Sequence, residues 1–150
     1  MQSNIASTYE MLGQYDRALQ MKRDVYNGHL EVFGTDYAAT IKVASNYAVS
    51  LGDLRRYAET KAVLRKMMPV AQRFLGEGHA LTLRMKGLYA TSLYVDDIAT
   101  QDDLREAVRT LEDAGRIARR LLGSSHPTTK AFEHHLRNSR AALRAREDSV

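Results

Sequence analysis

Apolar residues recur along this chain at spacings of three and four, and no segment alternates with period two. Leu104, Ala107, Val108, Leu111, Ala114, Ala118, Leu121 and Leu122 share one face of a helix. Tyr57, Leu64, Met67, Met68, Ala71, Phe74 and Leu75 make a second such face, and Tyr15, Ala18, Leu19, Val25, Tyr26, Leu30 and Phe33 a third. The pattern predicts seven helices over 2–12, 15–33, 36–52, 56–75, 80–95, 102–122 and 126–146, with no strand. Gly34, Gly76 and Gly123 each close a long apolar face, where left-handed C-caps fall. Thr35-Asp36 and Ser124-Ser125 are N-cap types, Asp102 or Asp103 suits the N-cap of the sixth helix, and Pro127 fits a first turn. Pro69 falls inside the fourth helix and predicts a kink near Lys66–Pro69.

The helices repeat. A shift of 42 lays Asn4-Ile5-Ala6 on Asn46-Tyr47-Ala48, Tyr15 on Tyr57 and Thr40-Ile41 on Thr82-Leu83. A shift of 47 then lays Leu75-Gly76 on Leu122-Gly123, His79 on His126 and Thr82 on Thr129. The five extra residues fall within Asp96–Asp103, a polar stretch between helices. A hairpin of this kind cannot bury its apolar face alone, so neighbouring units must stack into one core. The expected organisation is one domain over 1–150, with units near 1–34, 35–76 and 77–123 and a capping helix over 124–147.

The stretch Asn4-Ile5-Ala6-Ser7-Thr8-Tyr9-Glu10-Met11-Leu12-Gly13-Gln14-Tyr15-Asp16-Arg17-Ala18-Leu19 resembles a tetratricopeptide repeat of the kinesin light chain type, N-x-A-x-x-Y-x-x-x-G-x-Y-x-x-A-L. Leu122-Gly123-Ser124-Ser125-His126-Pro127-Thr128-Thr129 matches that type's inter-repeat signature L-G-x-x-H-P-x-T, and Leu75 to Thr82 is a weaker copy. The second unit departs from the pattern, with Arg55 at the inter-helix glycine and Thr60 at an alanine. The resemblance implies an all-α, right-handed α-solenoid of antiparallel helix hairpins, about three such repeats plus the C-terminal helix. It also implies a concave groove lined by the first helix of each pair. Such a groove takes up a partner peptide, and the scaffold has no catalysis of its own.

The candidate groove residues are Asn4, Thr8, Lys42, Asn46, Ser50 and Arg84. An asparagine amide both donates and accepts, as a peptide backbone requires. Lys42, Asn46 and Ser50 follow one another by four along a helix, and Arg84 repeats Lys42 after 42 residues. The cations point to an acidic protein or peptide partner. The alternative reading of the same residues is the solvent side of an amphipathic helix. Leu88, where a third asparagine would stand, argues against a uniform clamp.

Composition narrows the chemistry. The 150 residues contain no cysteine, which removes disulfides and thiolate metal sites. The net charge of +4 is uneven: residues 1–115 hold 14 basic and 15 acidic side chains, residues 116–150 hold 8 and 3. Arg137, Arg140 and Arg144 lie along the last helix, read as a solvated cap in preference to a phosphate or membrane surface. His134 and His135 are adjacent, about 100° apart on a helix, and make a poor chelating pair. His79 and His126 fit the turn before a helix, as caps. No nucleophile motif, phosphate-binding loop or H-E-x-x-H is present. The expectations are a non-enzymatic scaffold with no cofactor, metal, nucleic acid or membrane, in the cytoplasm, with no basic-then-apolar signal at its start. The alternative is a structural module that self-associates through its ends or convex face. A nucleic-acid-binding repeat is disfavoured by the 42-residue period.

Overall fold

A computed structural model describes residues 2–149, with side chains from Ile5 to Ser149. Seven helices occupy them: α1 Gln2–Met11, α2 Tyr15–Phe33, α3 Ala38–Asp53, α4 Tyr57–Leu75, α5 Ala80–Tyr94, α6 Gln101–Leu122 and α7 Pro127–Asp148. There is no strand among the described residues. All seven helices lie where the periodicity puts them. The chain forms two compact units, Met1–Phe74 and Leu75–Val150, which divide at the end of α4.

In the first unit α2 packs against α1 and α3. Ala18, Leu19 and Tyr26 from α2 and Ile41, Ala44, Tyr47, Ala48 and Leu51 from α3 are buried. Arg23 reaches Glu59 of α4 at 3.9 Å. The α1–α2 turn closes with Gly13 N–H donating to Glu10 and Gln14 N–H to Tyr9, at 3.0 and 2.8 Å, around a Gly13 φ of 74°. The α3–α4 turn repeats it: Arg55 N–H donates to Gly52 and Arg56 N–H to Leu51, at 2.9 and 2.8 Å, with Arg55 at φ 59°. The missing glycine thus leaves the turn intact and forces a side chain into the left-handed region. Arg55→Gly is expected to raise stability by about 1 kcal/mol, read as a higher denaturant midpoint at constant slope. α4 continues unbroken through Pro69, which is exposed.

In the second unit α5, α6 and α7 pack pairwise. Leu83, Met85, Tyr89 and Leu93 from α5 and Leu104, Leu111, Ala114 and Ala118 from α6 are buried, with Phe132 from α7. Phe132 lies over two glycines. A Cβ on Gly87 would stand 3.0 Å from the Phe132 ring, and one on Gly115 3.7 Å from its Cβ.

Several caps differ from expectation. α6 is capped by Thr100, whose Oγ1 accepts from Asp103 N–H at 3.1 Å. The Asp103 carboxylate accepts from Thr100 N–H at 2.9 Å, so Asp103 is the third helical residue of a capping box and not the cap. α3 begins after Tyr37 without a side-chain cap, in place of Thr35-Asp36. α7 begins after His126 in place of Ser124-Ser125, with Pro127 in its first turn as expected. Gly34 and Gly123 have positive φ but ψ of −171° and 162°, an extended mirror region open only to glycine and not the left-handed helical one.

The repeated histidines are caps. His79 Nδ1 accepts from Leu81 N–H and His126 Nδ1 from Thr128 N–H, each at 3.1 Å. Three residues beyond, Thr82 and Thr129 are fully buried, as is Thr40 at the corresponding place in α3. The L-G-x-x-H-P-x-T signature is therefore a helix start in physical terms. Glycine ends one helix, histidine caps the next, and threonine is the first residue sealed inside. His126→Ala should cost about 1 kcal/mol in a denaturation curve, and His126→Ser should recover most of it.

Candidate functional site

The predicted site residues separate into those held inside and those left free. Asn4 has its backbone in α1, but its side chain lies outside the described residues. Thr8 is exposed on the same helix and is already engaged with a neighbour. On α3, Lys42 is exposed and Asn46 half-buried, and neither side chain has a hydrogen-bond or ion-pair partner among the described residues. On α5, Arg84 is exposed and likewise without a partner among them. Lys42 and Asn46 lie one turn apart. Arg84 belongs to the other compact unit.

Ser50 is 6 % exposed and sits in an internal polar cluster. Lys22 Nζ of α2 donates to Ser50 Oγ at 2.7 Å and to Glu10 of α1 at 2.5 Å, and Ser50 donates to Glu10 at 3.2 Å. The cluster ties three helices together and holds the Ser50 hydroxyl inside, donating to Glu10 and accepting from Lys22. Thr91 and Ser92, one turn beyond Leu88, are also spent, donating to the carbonyls of Gly87 and Leu88 at 2.8 Å.

A second internal cluster was not legible in the sequence. Lys86 of α5 is 3 % exposed and donates to Glu77 at 2.5 Å and Asp113 of α6 at 3.1 Å. Burial alone would lower its pKa, but the two carboxylates outweigh burial and hold it above the usual lysine value. Burial likewise works to raise the Asp113 pKa, and Lys86 with Arg116 overrides it, leaving that carboxyl below its ordinary range. Beside it, Tyr89 donates to Glu106 of α6 at 2.5 Å.

Tyr94 Oη lies 2.7 Å from His135 Nδ1 and links α5 to α7. Burial, aided by His134, pulls the His135 pKa below the ordinary imidazole value. His134 pairs with Asn138 at 3.2 Å, so the adjacent histidines are turned to separate partners. No cluster of three metal-ligating side chains occurs among the described residues. No helix among them is long and apolar enough to cross a membrane.

A shallow cleft of about 440 Å³ runs between α6 and α7. Leu111, Gly115, Phe132 and Leu136 form its apolar floor. Glu112, Arg116, Arg119, Arg120 and Glu133 form its rim.

The tetratricopeptide repeat family matches residues 1–36 and 99–128. No curated protein matches the chain. Among solved structures, the chain is similar to a Podosopora anserina protein described as a kinesin light chain with nearly identical TPR-like repeats. A form of that protein carrying one substitution gives a TM-score of 0.81 at 20 % identity, covering 98 % of this chain and 67 % of that one. The form without that substitution gives 0.78 at 20 % identity over the same shares. BtubC (BKLC) from P. vanneervenii gives 0.58 at 14 % identity, covering 96 % of this chain and 62 % of that one. The chain has the all-α helical-hairpin fold of kinesin-light-chain-like TPR structures, and the tetratricopeptide repeat family model matches it over residues 1–36 and 99–128.

Proposed function

We propose that the protein is a binding scaffold that holds an acidic peptide or protein segment against the free polar side chains Lys42 and Asn46 of α3, with Arg84 a like cation on α5 of the other unit. One observation carries this reading. The other polar residues discussed on α3 and α5, Ser50, Lys86, Thr91 and Ser92, are committed to internal bonds, whereas Lys42, Asn46 and Arg84 have no such bond among the described residues. A cation with no internal partner adds nothing to the fold that a neutral polar residue would not. It does attract carboxylates and steer their approach. Asn46 adds an amide able to satisfy both sides of a peptide unit. Ser50 then acts from behind, fixing the position of α3 through Lys22 and Glu10.

This reading calls on no catalysis: the ammonium of Lys86 is held by Glu77 and Asp113, and that of Lys22 by Glu10.

The test is affinity capture with the intact chain and with Lys42→Glu plus Asn46→Ala, quantified by mass spectrometry. The partner set retained by the wild type should fall by about tenfold with the variant, the effect of placing like charge against an acidic segment. Equal recovery of the same partners by both proteins would remove the proposal and leave the fold untouched.

A further inference from the structure

We propose, resting on the scaffold reading, that in the second unit the acidic segment is held by α5 and α7 together. One of its carboxylates meets the His134–His135 pair of α7, and this contact strengthens as the pH falls.

The repeat register brings α7 into the surface. The 42- and 47-residue shifts carry Asn46 of α3 to Leu88 of α5 and on to His135 of α7, and Val49 to Thr91 and Asn138. The stripe along α5 is Arg84, Leu88 and Thr91, and along α7 it is Ala131, His135 and Asn138, each residue exposed or half-buried. Leu88 withholds the polar group that Asn46 offers, and α7 supplies one again at the same place in the repeat. Tyr94, at the end of α5, fixes it: its Oη lies 2.7 Å from His135 Nδ1. His135 Nε2 is then the ring nitrogen without a partner among the described residues. His134 stands beside it with ring centroids 5.5 Å apart, and Asn138 meets His134 Nε2 at 3.2 Å. Burial raises the Tyr94 pKa and Asn138 opposes that rise, so the four side chains form one cluster.

The cluster offers polar groups and lacks an acid. Burial and His134 both hold the His135 pKa below the ordinary imidazole value, and no carboxylate acts on the ring. On α5, Lys86 is held by Glu77 and Asp113, which leaves Tyr94 and the exposed Arg84. The charges by which α6 meets α7 are spent in pairs: Arg119 with Glu133, Glu112 with Arg140, and Arg105 with Glu147. A carboxylate laid against the two rings opposes both effects on His135, replacing lost water and setting a negative charge beside the imidazoles. The ring pKa therefore rises on binding, and by linkage binding strengthens as pH falls through the imidazole range. It weakens again only where the partner's own carboxylates protonate, at about pH 4.

The test is fluorescence anisotropy with the intact chain and a fluorescein-labelled peptide of alternating glutamate and serine, beside a glutamine–serine control. The glutamate peptide should bind about three- to fivefold more tightly at about pH 5.5 than at about pH 7.5, the worth of partly exposed ion pairs. His134→Gln with His135→Gln should remove that gain and leave the binding at the higher pH. Asn138→Ala, at an exposed position, should reduce the gain without disturbing the fold. Lys42→Glu, in the other unit, should weaken binding at both pH values and keep their ratio. In NMR the titration midpoint of the His135 ring should rise when the glutamate peptide is added, a shift that a purely structural histidine does not show. A glutamate peptide that binds and responds to Lys42→Glu but shows no gain on acidification would overturn this contact and leave the scaffold reading standing. So would a gain that survives loss of both histidines, or an unmoved His135 midpoint. No binding of the glutamate peptide at either pH would overturn both.

Discussion

Phe132→Ala is expected to lower the unfolding free energy by about 3–5 kcal/mol, the largest single effect in the second unit. The ring is 4 % exposed, and α7 contributes no other buried apolar side chain of its size. It lies against Gly87 of α5 and Gly115 of α6, so its removal empties the space where three helices meet. Glycine at both places lets the backbones come close, and a small residue at 132 cannot follow them in. The fit is tight from the other side too. A methyl at position 87 would stand 3.0 Å from the ring, so Gly87→Ala should cost about 1–3 kcal/mol in the wild type and clearly less beside Phe132→Ala. Urea denaturation of the four proteins of that cycle measures both effects. Additive losses would show that the ring and the glycine do not share one packing site.

The second large effect belongs to Lys86. Neutralising its partners, Glu77→Gln with Asp113→Asn, should cost about 3 kcal/mol, because an ammonium 3 % exposed is left without a counter-charge. The figure is at the low end because Glu77 and Asp113 remain about half exposed and water shares their screening. Lys86→Met should cost far less, since it removes the buried charge itself and frees two carboxylates that already reach solvent. The order of these two variants is the informative result. A costly Lys86→Met beside a mild double neutralisation would contradict it. The pH dependence follows with a definite sign. Asp113 has a lowered pKa when folded, so its contribution is complete above the ordinary aspartate range and is lost as pH falls through the lowered value. Lys86 has a raised one, so its contribution is complete below the ordinary lysine range and is lost as pH rises through the raised value.

Neither the Phe132 seat nor the Lys86 cluster can be read from spacing along one helix. Glu77, Lys86 and Asp113 lie on three separate stretches and meet only once α5 and α6 have packed. Periodicity does disclose the helices, because burial of one face is imposed locally on every turn. Caps were harder, since three cap-competent residues close together, Thr100 followed by Asp102 and Asp103, leave the choice to the loop that precedes them. His79 and His126 could be recognised because the same residue recurs at the same place in two units. Ser50 shows where helical spacing misleads. Eight residues turn a helix by about 800°, so Ser50 stands some 80° around from Lys42 and faces inward where Lys42 faces out. Counting by fours finds neighbours one turn apart and drifts after two.

The free cations of α3 and α5 are tested most directly by letting the protein choose its own ligand. Selection from an unbiased displayed peptide library, followed by titration of the enriched peptides against wild type, Lys42→Glu and Arg84→Glu, reports both chemistry and place. The enriched peptides should be rich in aspartate and glutamate, and the binding of each should fall with Lys42→Glu or with Arg84→Glu. Enriched peptides without acidic residues, or with affinity indifferent to both reversals, would contradict the scaffold reading.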